Sequence, residues 1–385
     1  MTTANQGRVR VDRSAVQVGK PLPFSVYDHR GHLVMRAGYV LTREAQLDRL
    51  LELGMFQDPD PAREATANRD RKNVRQARGR PIERLEDLQW QVGRVLDQLV
   101  AGDGNPETMT HRVVPELTDL SAACPDALIG YIHQEREAPY GHTHALNVAG
   151  LVLLLGRSMG FEPSTLKASA AAALTGNIGM ADLQNVLLLQ SDPVTAEQRR
   201  EIQSHPETSA QMLEDAGVVD SAWLRVVREH HERCDGSGYP RGIGETAIHP
   251  GARLVAVADR YSASISPRQY RPQMSSQEAL REMFADHNET AQCPYDREVL
   301  AALIKLLGVY PPGTRVRLAS GEYAIVVKRG ASKSTAPRVA AYADRNGAPY
   351  SGGPLVRDTR DPDYNVRGIA ETPPPLPCPL AAFWV

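Results

Sequence analysis

The sequence predicts a mainly α-helical protein, in which a large central helical bundle is flanked by a small N-terminal α/β unit and a small C-terminal β-rich module. Three observations predict it. Apolar residues recur at three- and four-residue spacing through most of residues 84–308, the period of a buried helix face. Before residue 57 the chain carries two short strand-like runs around a turn. After Tyr310 the period switches to alternation, the pattern of a half-buried sheet.

In chain order, residues 1–56 form the N-terminal unit. PLPFSVYDHRGHLVMRAGYVL reads as two strands joined at Asp28-His29-Arg30-Gly31. Thr42 is placed to cap a helix through Leu53, with Leu47, Leu50 and Leu51 on one face and Gly54 as its stop. Residues 57–82 are rich in charge, proline and small residues and read as a linker. Residues 83–309 supply the bundle, with IERLEDLQWQVGRVLDQLV, THALNVAGLVLLLGRSMG, AWLRVVREHH and DREVLAALIKLLG among at least six helical stretches. Thr195, with Glu197 behind it, opens another. Residues 310–385 form the β-rich module, turning at Gly321-Glu322 and again at Arg345-Asn346-Gly347. The proline-rich end, TPPPLPCPLAAFWV, is expected to be loosely held.

Composition excludes several classes. A formal net charge of −2 over 385 residues lacks the basic excess of a protein that binds nucleic acid polymers. Cys124, Cys234, Cys293 and Cys378 are scattered and form no CxxC pair, so neither a zinc ribbon nor a disulfide framework is indicated. The N-terminal segment has no apolar core of the secretory kind, and the longest apolar run, around residues 149–155, is too short to span a bilayer. These features lead us to expect a cytoplasmic protein.

The chemistry-bearing residues are histidines and one aspartate. His144 lies near the start of a helix, His205 precedes a proline, His230 and His231 end the helix AWLRVVREHH, and Asp259 follows the apolar run ARLVAVAD. Histidine and aspartate on different helices of one bundle can converge on an interior metal site. Adjacent helical residues point about 100° apart. His230 and His231 are therefore expected to serve two neighbouring ions, or one ion and a substrate phosphate, as in a two-metal clamp on a phosphodiester.

His230–Pro240, HHERCDGSGYP, resembles the signature of the HD-GYP family, a branch of the HD phosphohydrolases. His144 in HALNVAG, LTGNIGM at residues 174–180, His205-Pro206, Asp259 in LVAVADRYSA and the basic segment SPRQYR fall in the family's order. The resemblance covers roughly residues 130–310 and implies an HD-type bundle holding two or three iron or manganese ions. It also implies hydrolysis of cyclic di-GMP to linear pGpG or GMP. By position, His144, His205, His230, His231 and Asp259 stand as metal ligands, Gly238 and Tyr239 belong to the substrate-side loop, and Arg268 and Arg271 stand where the family meets phosphate.

The pattern breaks at the His-Asp pair itself. Gly176 and Asn177 occupy those positions, and Met180 replaces the lysine that follows. Glycine has no ligating atom, and a neutral amide oxygen is a poor bridge between two dications. The sequence thus leads us to expect a degenerate HD-GYP protein in cyclic di-GMP signalling, with hydrolysis lost or weak. It would act by binding the nucleotide or a protein partner, with iron or manganese at reduced stoichiometry or absent, and a homodimer as one arrangement. Two alternatives stand beside this. One is an active phosphodiesterase whose altered metal site uses Asn177. The other is a scaffold or dimerisation protein acting through its flanking modules.

Overall fold

The computed structural model describes residues 9–20, 22–24, 26–27, 33–35, 41, 44, 47–48, 51, 56–57, 81–136, 138–266, 274–288, 293–330 and 336–384. The turn at Asp28–Gly31, the Thr42 cap, most of the linker, Arg268 and Arg271 lie outside the described residues. Two compact units are present: Met1–Gly79 with Glu135–Tyr140, and Arg80–Gln134 with Gly141–Val385.

In the first unit, strands β1 (Val9–Arg10), β2 (Val26–Tyr27), β3 (Leu33–Met35) and β4 (Phe56–Gln57) form an antiparallel sheet of order β1-β4-β2-β3. The two expected strands are β2 and β3; their pairing through β4 with β1 joins the ends of the unit. Val11, Val16, Leu22, Val26, Leu41 and Leu47 form its core.

The second unit carries the helices α1 (Pro81–Ala101), α2 (Val114–Ala123), α3 (Pro125–Ile132), α4 (Tyr140–Ser158), α5 (Pro163–Thr175), α6 (Ala181–Leu189), α7 (Ala196–Asp215), α8 (Ser221–Glu229), α9 (Pro250–Ile265), α10 (Ser276–Asn288) and α11 (Arg297–Leu307). This is the mainly helical class expected. Helix α5 occupies the centre: Ala168 to Thr175 are all buried, and Ala170–Ala173 keep it slim. A helix buried all round belongs inside a core. Helices α8 and α9 both pack on it, so its C-terminal end, Gly176-Asn177, lies among the elements that carry the histidines.

Strands β5 (Arg315–Leu318), β6 (Tyr323–Lys328), β7 (Arg338–Ala343), β8 (Leu355–Asp358) and β9 (Val366–Ile369) make an antiparallel sheet of order β8-β7-β6-β5-β9. Alternation divides its side chains. Ile325, Val327, Ala340 and Tyr342 join the helical core, while Ala324, Val326, Val339 and Ala341 pack with Val316 and Leu318 on the other face. The sheet thus shares one hydrophobic core with the bundle.

The end of the chain differs from the sequence expectation. Rather than hanging loose, Phe383 and Trp384 are buried in the helical core. The Trp384 indole Nε1 donates to the Val327 carbonyl at 2.9 Å. Its ring fills the space over Gly130 in α3, where a Cβ would lie 2.2 Å from Trp384 Cζ2. Proline-rich composition suggested a solvated tail; two large aromatics at its end outweigh it, each burying of order 150–250 Å². Among the described residues no helix is long and apolar enough to cross a membrane.

Candidate metal and ligand site

Helix α7 is begun by Thr195, whose Oγ1 accepts from Gln198 N at 3.2 Å while Gln198 Oε1 accepts from Thr195 N at 3.0 Å. This reciprocal cap uses Gln198 and not Glu197. Eleven residues after Thr195, Pro206 sits inside the helix. Proline has no N–H, so the Ile202 carbonyl four residues earlier loses its helical donor. His205 takes it: Nδ1 lies 2.6 Å from Ile202 O. The dipeptide His205-Pro206 therefore fixes its own imidazole.

The same device operates at the end of α8 by other means. That helix stops at Glu229, and its last carbonyls lack intrahelical donors. His230 Nδ1 lies 2.6 Å from one of them, Val227 O. A carbonyl only accepts, so both Nδ1 atoms carry the proton and both Nε2 atoms carry a lone pair. Those two Nε2 atoms face each other at 3.3 Å. Neither can donate to the other in this tautomer, and a cation between them satisfies both.

His231 completes the group. One ligand atom from each of His205, His230 and His231 lies within 4.8 Å of the others. This corrects the expectation of two divergent rings. The 100° rule applies within a helix, but His230 is the C-cap and His231 lies beyond it. Their ring centroids come to 4.1 Å, at 42° to one another.

Asp259, on α9, and His144, on α4, pair beside this cluster. His144 Nε2 and Asp259 Oδ1 are 2.7 Å apart, and the Ser262 hydroxyl lies 3.2 Å from His144 Nδ1. Burial would raise the Asp259 carboxyl, yet the His144 hydrogen bond and the nearby charges of His144, His231 and His230 hold it well below the usual carboxylate range. Burial pushes the histidines the other way. His205 is lowered to about 3, by burial and then by His230. His230 and His231 are lowered too, burial being the main cause for each. Neutral imidazoles are the form that binds metal.

Gly176 caps α5, and a Cβ there would lie 3.3 Å from His230 Cε1 and 3.5 Å from its Nε2. A side chain at this position would therefore enter the cluster. Gly176 O accepts from the Ser209 hydroxyl at 2.6 Å, and Ser209 Oγ in turn accepts from Gly179 N at 2.9 Å. Asn177 Oδ1 is buried and has no hydrogen-bond donor among the described residues. An orphaned buried oxygen fits a bound cation or water. Met180 ends the short turn Ile178–Met180.

The glycine-rich loop closes over His231. Tyr239 N donates to His231 O at 3.1 Å, and the Tyr239 ring stacks on the His231 ring at 4.8 Å and 28°. Burial raises the Tyr239 phenol. Gly238 has a packing reason: a Cβ would lie 2.3 Å from Arg233 N, 2.6 Å from Glu232 Cα and 2.6 Å from His231 O. Two glutamates that sequence reasoning left without roles anchor this loop. Glu232 accepts from Arg241 N at 2.7 Å and Ile243 N at 3.1 Å. Glu229 accepts from Arg225 and Arg241, both at 2.9 Å, and from His249 N at 2.6 Å. The signal for Glu232 was present, since it sits inside HHERC; for Glu229 and Ser209 there was none.

Comparison with known proteins follows from this geometry. Residues 126–299 match the family described as an HD domain. The chain is 28% identical over 293 residues to a cyclic di-GMP phosphodiesterase of Pseudomonas aeruginosa, covering 75% of this chain and 67% of that protein. It is 30% identical over 166 residues to a cyclic di-GMP phosphodiesterase of Thermotoga maritima, covering 43% of this chain and 44% of that one. A 3'3'-cGAMP-specific phosphodiesterase of Vibrio cholerae is 29% identical over 177 residues, covering 46% of this chain and 37% of the relative. The chain thus spans less than half the length of the latter two.

Proposed function

From the match to the HD domain family and the similarity to a cyclic di-GMP phosphodiesterase, we propose that the helical domain of this chain, an HD-GYP-type domain, recognises a cyclic dinucleotide of the cyclic di-GMP type while hydrolysing it weakly or not at all. The observation that carries the reading is the juxtaposition at the end of α5. His205, His230 and His231 converge beside Gly176, the first two with Nε2 lone pairs turned toward each other, and neither Gly176 nor Asn177 offers a charged ligand. The ligand-holding half of the site is present and the carboxylate of the His-Asp pair is not.

His205, His230 and His231 are the residues that would hold a metal, and Asn177, next in the chain to Gly176, carries an orphaned acceptor. A dication there supplies Lewis acidity and an anchor for a phosphate oxygen. The chain's own residues do the rest. Tyr239, seated on His231, walls the cluster on the loop side, and Glu229 and Glu232 keep the loop in place through four hydrogen bonds. Asp259, ionised and aligned by His144, is the one carboxylate joined to the cluster among the described residues. Nucleophilic attack on phosphorus needs a base or a strongly acidified water. Asp259 kept ionised this firmly is a weak base.

Calorimetry with cyclic di-GMP and chromatography of the products test the reading together. Saturable binding at micromolar ligand, with no pGpG formed after anaerobic loading with iron, manganese or zinc, is the expected result. Multiple turnovers by the loaded protein would favour the active enzyme. Absence of any heat would leave the scaffold role.

A further inference from the structure

Resting on the reading that this domain keeps a metal-linked ligand site, we infer that the site is a single-ion centre of the zinc class, held by the three imidazoles of His205, His230 and His231, with His144 acting on Asp259 as a positioning residue and not as a ligand.

Hydrogen bonding sorts the four histidines into two kinds. His205 and His230 give Nδ1–H to backbone carbonyls, which leaves Nε2 free to bind a cation. His144 is arranged the other way. Its Nε2 is taken up by Asp259 Oδ1 at 2.7 Å, and the Ser262 hydroxyl is placed to donate to Nδ1. Both ring nitrogens of His144 thus already have hydrogen-bond partners. These partners therefore separate a ligand set from an orienting pair.

One edge of the triad, that between His205 and His230, suits a tetrahedral ion. With metal–nitrogen bonds of about 2.0–2.1 Å, the edge of a tetrahedron is about 3.3 Å. His205 Nε2 and His230 Nε2 stand 3.3 Å apart. Three neutral nitrogen donors suit zinc and its borderline neighbours, whereas oxygen-rich sets suit manganese.

A second dication lacks what it needs. Two adjacent dications repel strongly in a buried site unless an anion bridges them. Among the described residues the carboxylates near the cluster are already engaged. Glu229 and Glu232 are turned to the loop, one oxygen of Asp259 is taken by His144, and position 177 offers a neutral amide.

The test uses the full chain, stripped with chelator, reloaded with excess zinc, cobalt, manganese or iron, and freed of unbound metal. Elemental analysis is expected to give one zinc or cobalt per chain, and the cobalt form is expected to show the intense visible absorption of a low-coordinate ion. H230A and H205A should lose the ion at every concentration that saturates the wild type. H144Q should still bind one, because the change removes no ligand of the proposed set. Circular dichroism and H133Q, a change at a buried histidine away from the cluster, control for folding. Two ions per wild-type chain, or loss of the ion in H144Q as complete as in H230A, would overturn the inference. One ion without cyclic dinucleotide binding would remove the functional reading and leave this one standing. Nucleotide binding by a chain that takes up no metal would do the reverse.

Discussion

Replacing Pro206 with alanine should move stability and metal affinity in opposite directions. In the native helix Pro206 withholds the N–H that Ile202 O would otherwise accept, and His205 Nδ1 takes the vacancy at 2.6 Å. Alanine restores that donor. An interior proline costs a helix about 3 kcal/mol relative to alanine. Against this, the buried proline ring loses two methylenes on truncation, worth about 1.6 kcal/mol. The net expectation is a gain of about 1 kcal/mol, read from urea unfolding of chelator-treated protein. Affinity falls because Ile202 O is now shared and the His205 tautomer is no longer fixed. The expected loss is about 10–100-fold, the usual effect of removing an orienting partner, measured by competition with a chromophoric chelator. Nitrogen NMR of the imidazole adds a direct readout, since the Nε2–H form should become populated. An unchanged affinity together with an unchanged tautomer would refute the idea that the proline sets this ligand.

Other expectations concern the wider molecule. Trp384→Ala should destabilise the second unit by about 3–5 kcal/mol, the range for large aromatics cut from a core, seen as a lower Tm with no change in metal content. Gly238→Ala should abolish cyclic dinucleotide binding, because the three nearest atoms are backbone and cannot give way; crystallography or loop proteolysis should show Tyr239 lifted from His231. In chelator-treated protein, stability should fall with acidification between about pH 6.5 and pH 4. Burial lowers His205 to about 3 and His133 to about 4, so below the unfolded value the unfolded chain binds protons that the fold refuses. Each group steepens the loss by about 1.4 kcal/mol per pH unit, and a flat urea profile across that window would contradict the burial described. Finally, G176H/N177D should raise metal content from one ion to two, by elemental analysis, since a side chain at 176 enters the cluster and a carboxylate at 177 supplies the bridge.

The parts of the site that follow from periodicity and sequence order were legible. A 3.6-residue period places helices, and the string HHERCDGSGYP marks a particular turn, so His144, His205, His230, His231 and Asp259 could be gathered before any coordinates. Their mutual geometry was not legible, because it depends on where α8 stops. One residue more of helix would have splayed His230 from His231; the helix ends at Glu229, and the rings converge. Nor could the sequence show that Glu229 and Glu232 turn away from the metal side, since a carboxylate's direction is set by which backbone donors surround it. Composition misled at the C-terminus, where proline content spoke for solvent and Phe383 and Trp384 outweighed it. The N-terminal sheet was half visible: β2 and β3 are close in sequence, whereas β1 and β4 are two-residue strands paired from distant parts of the unit.

The indole of Trp384 also imposes a schedule. Gly130 leaves a hole in the bundle that only a residue about 250 positions later fills. At synthesis rates of about 5–20 residues per second, the two are separated by roughly 10–50 s on the ribosome. During that interval α3 is present without the ring that covers it. The bundle must therefore wait with an apolar face uncovered, and the step that closes it comes after every histidine of the cluster has already been made.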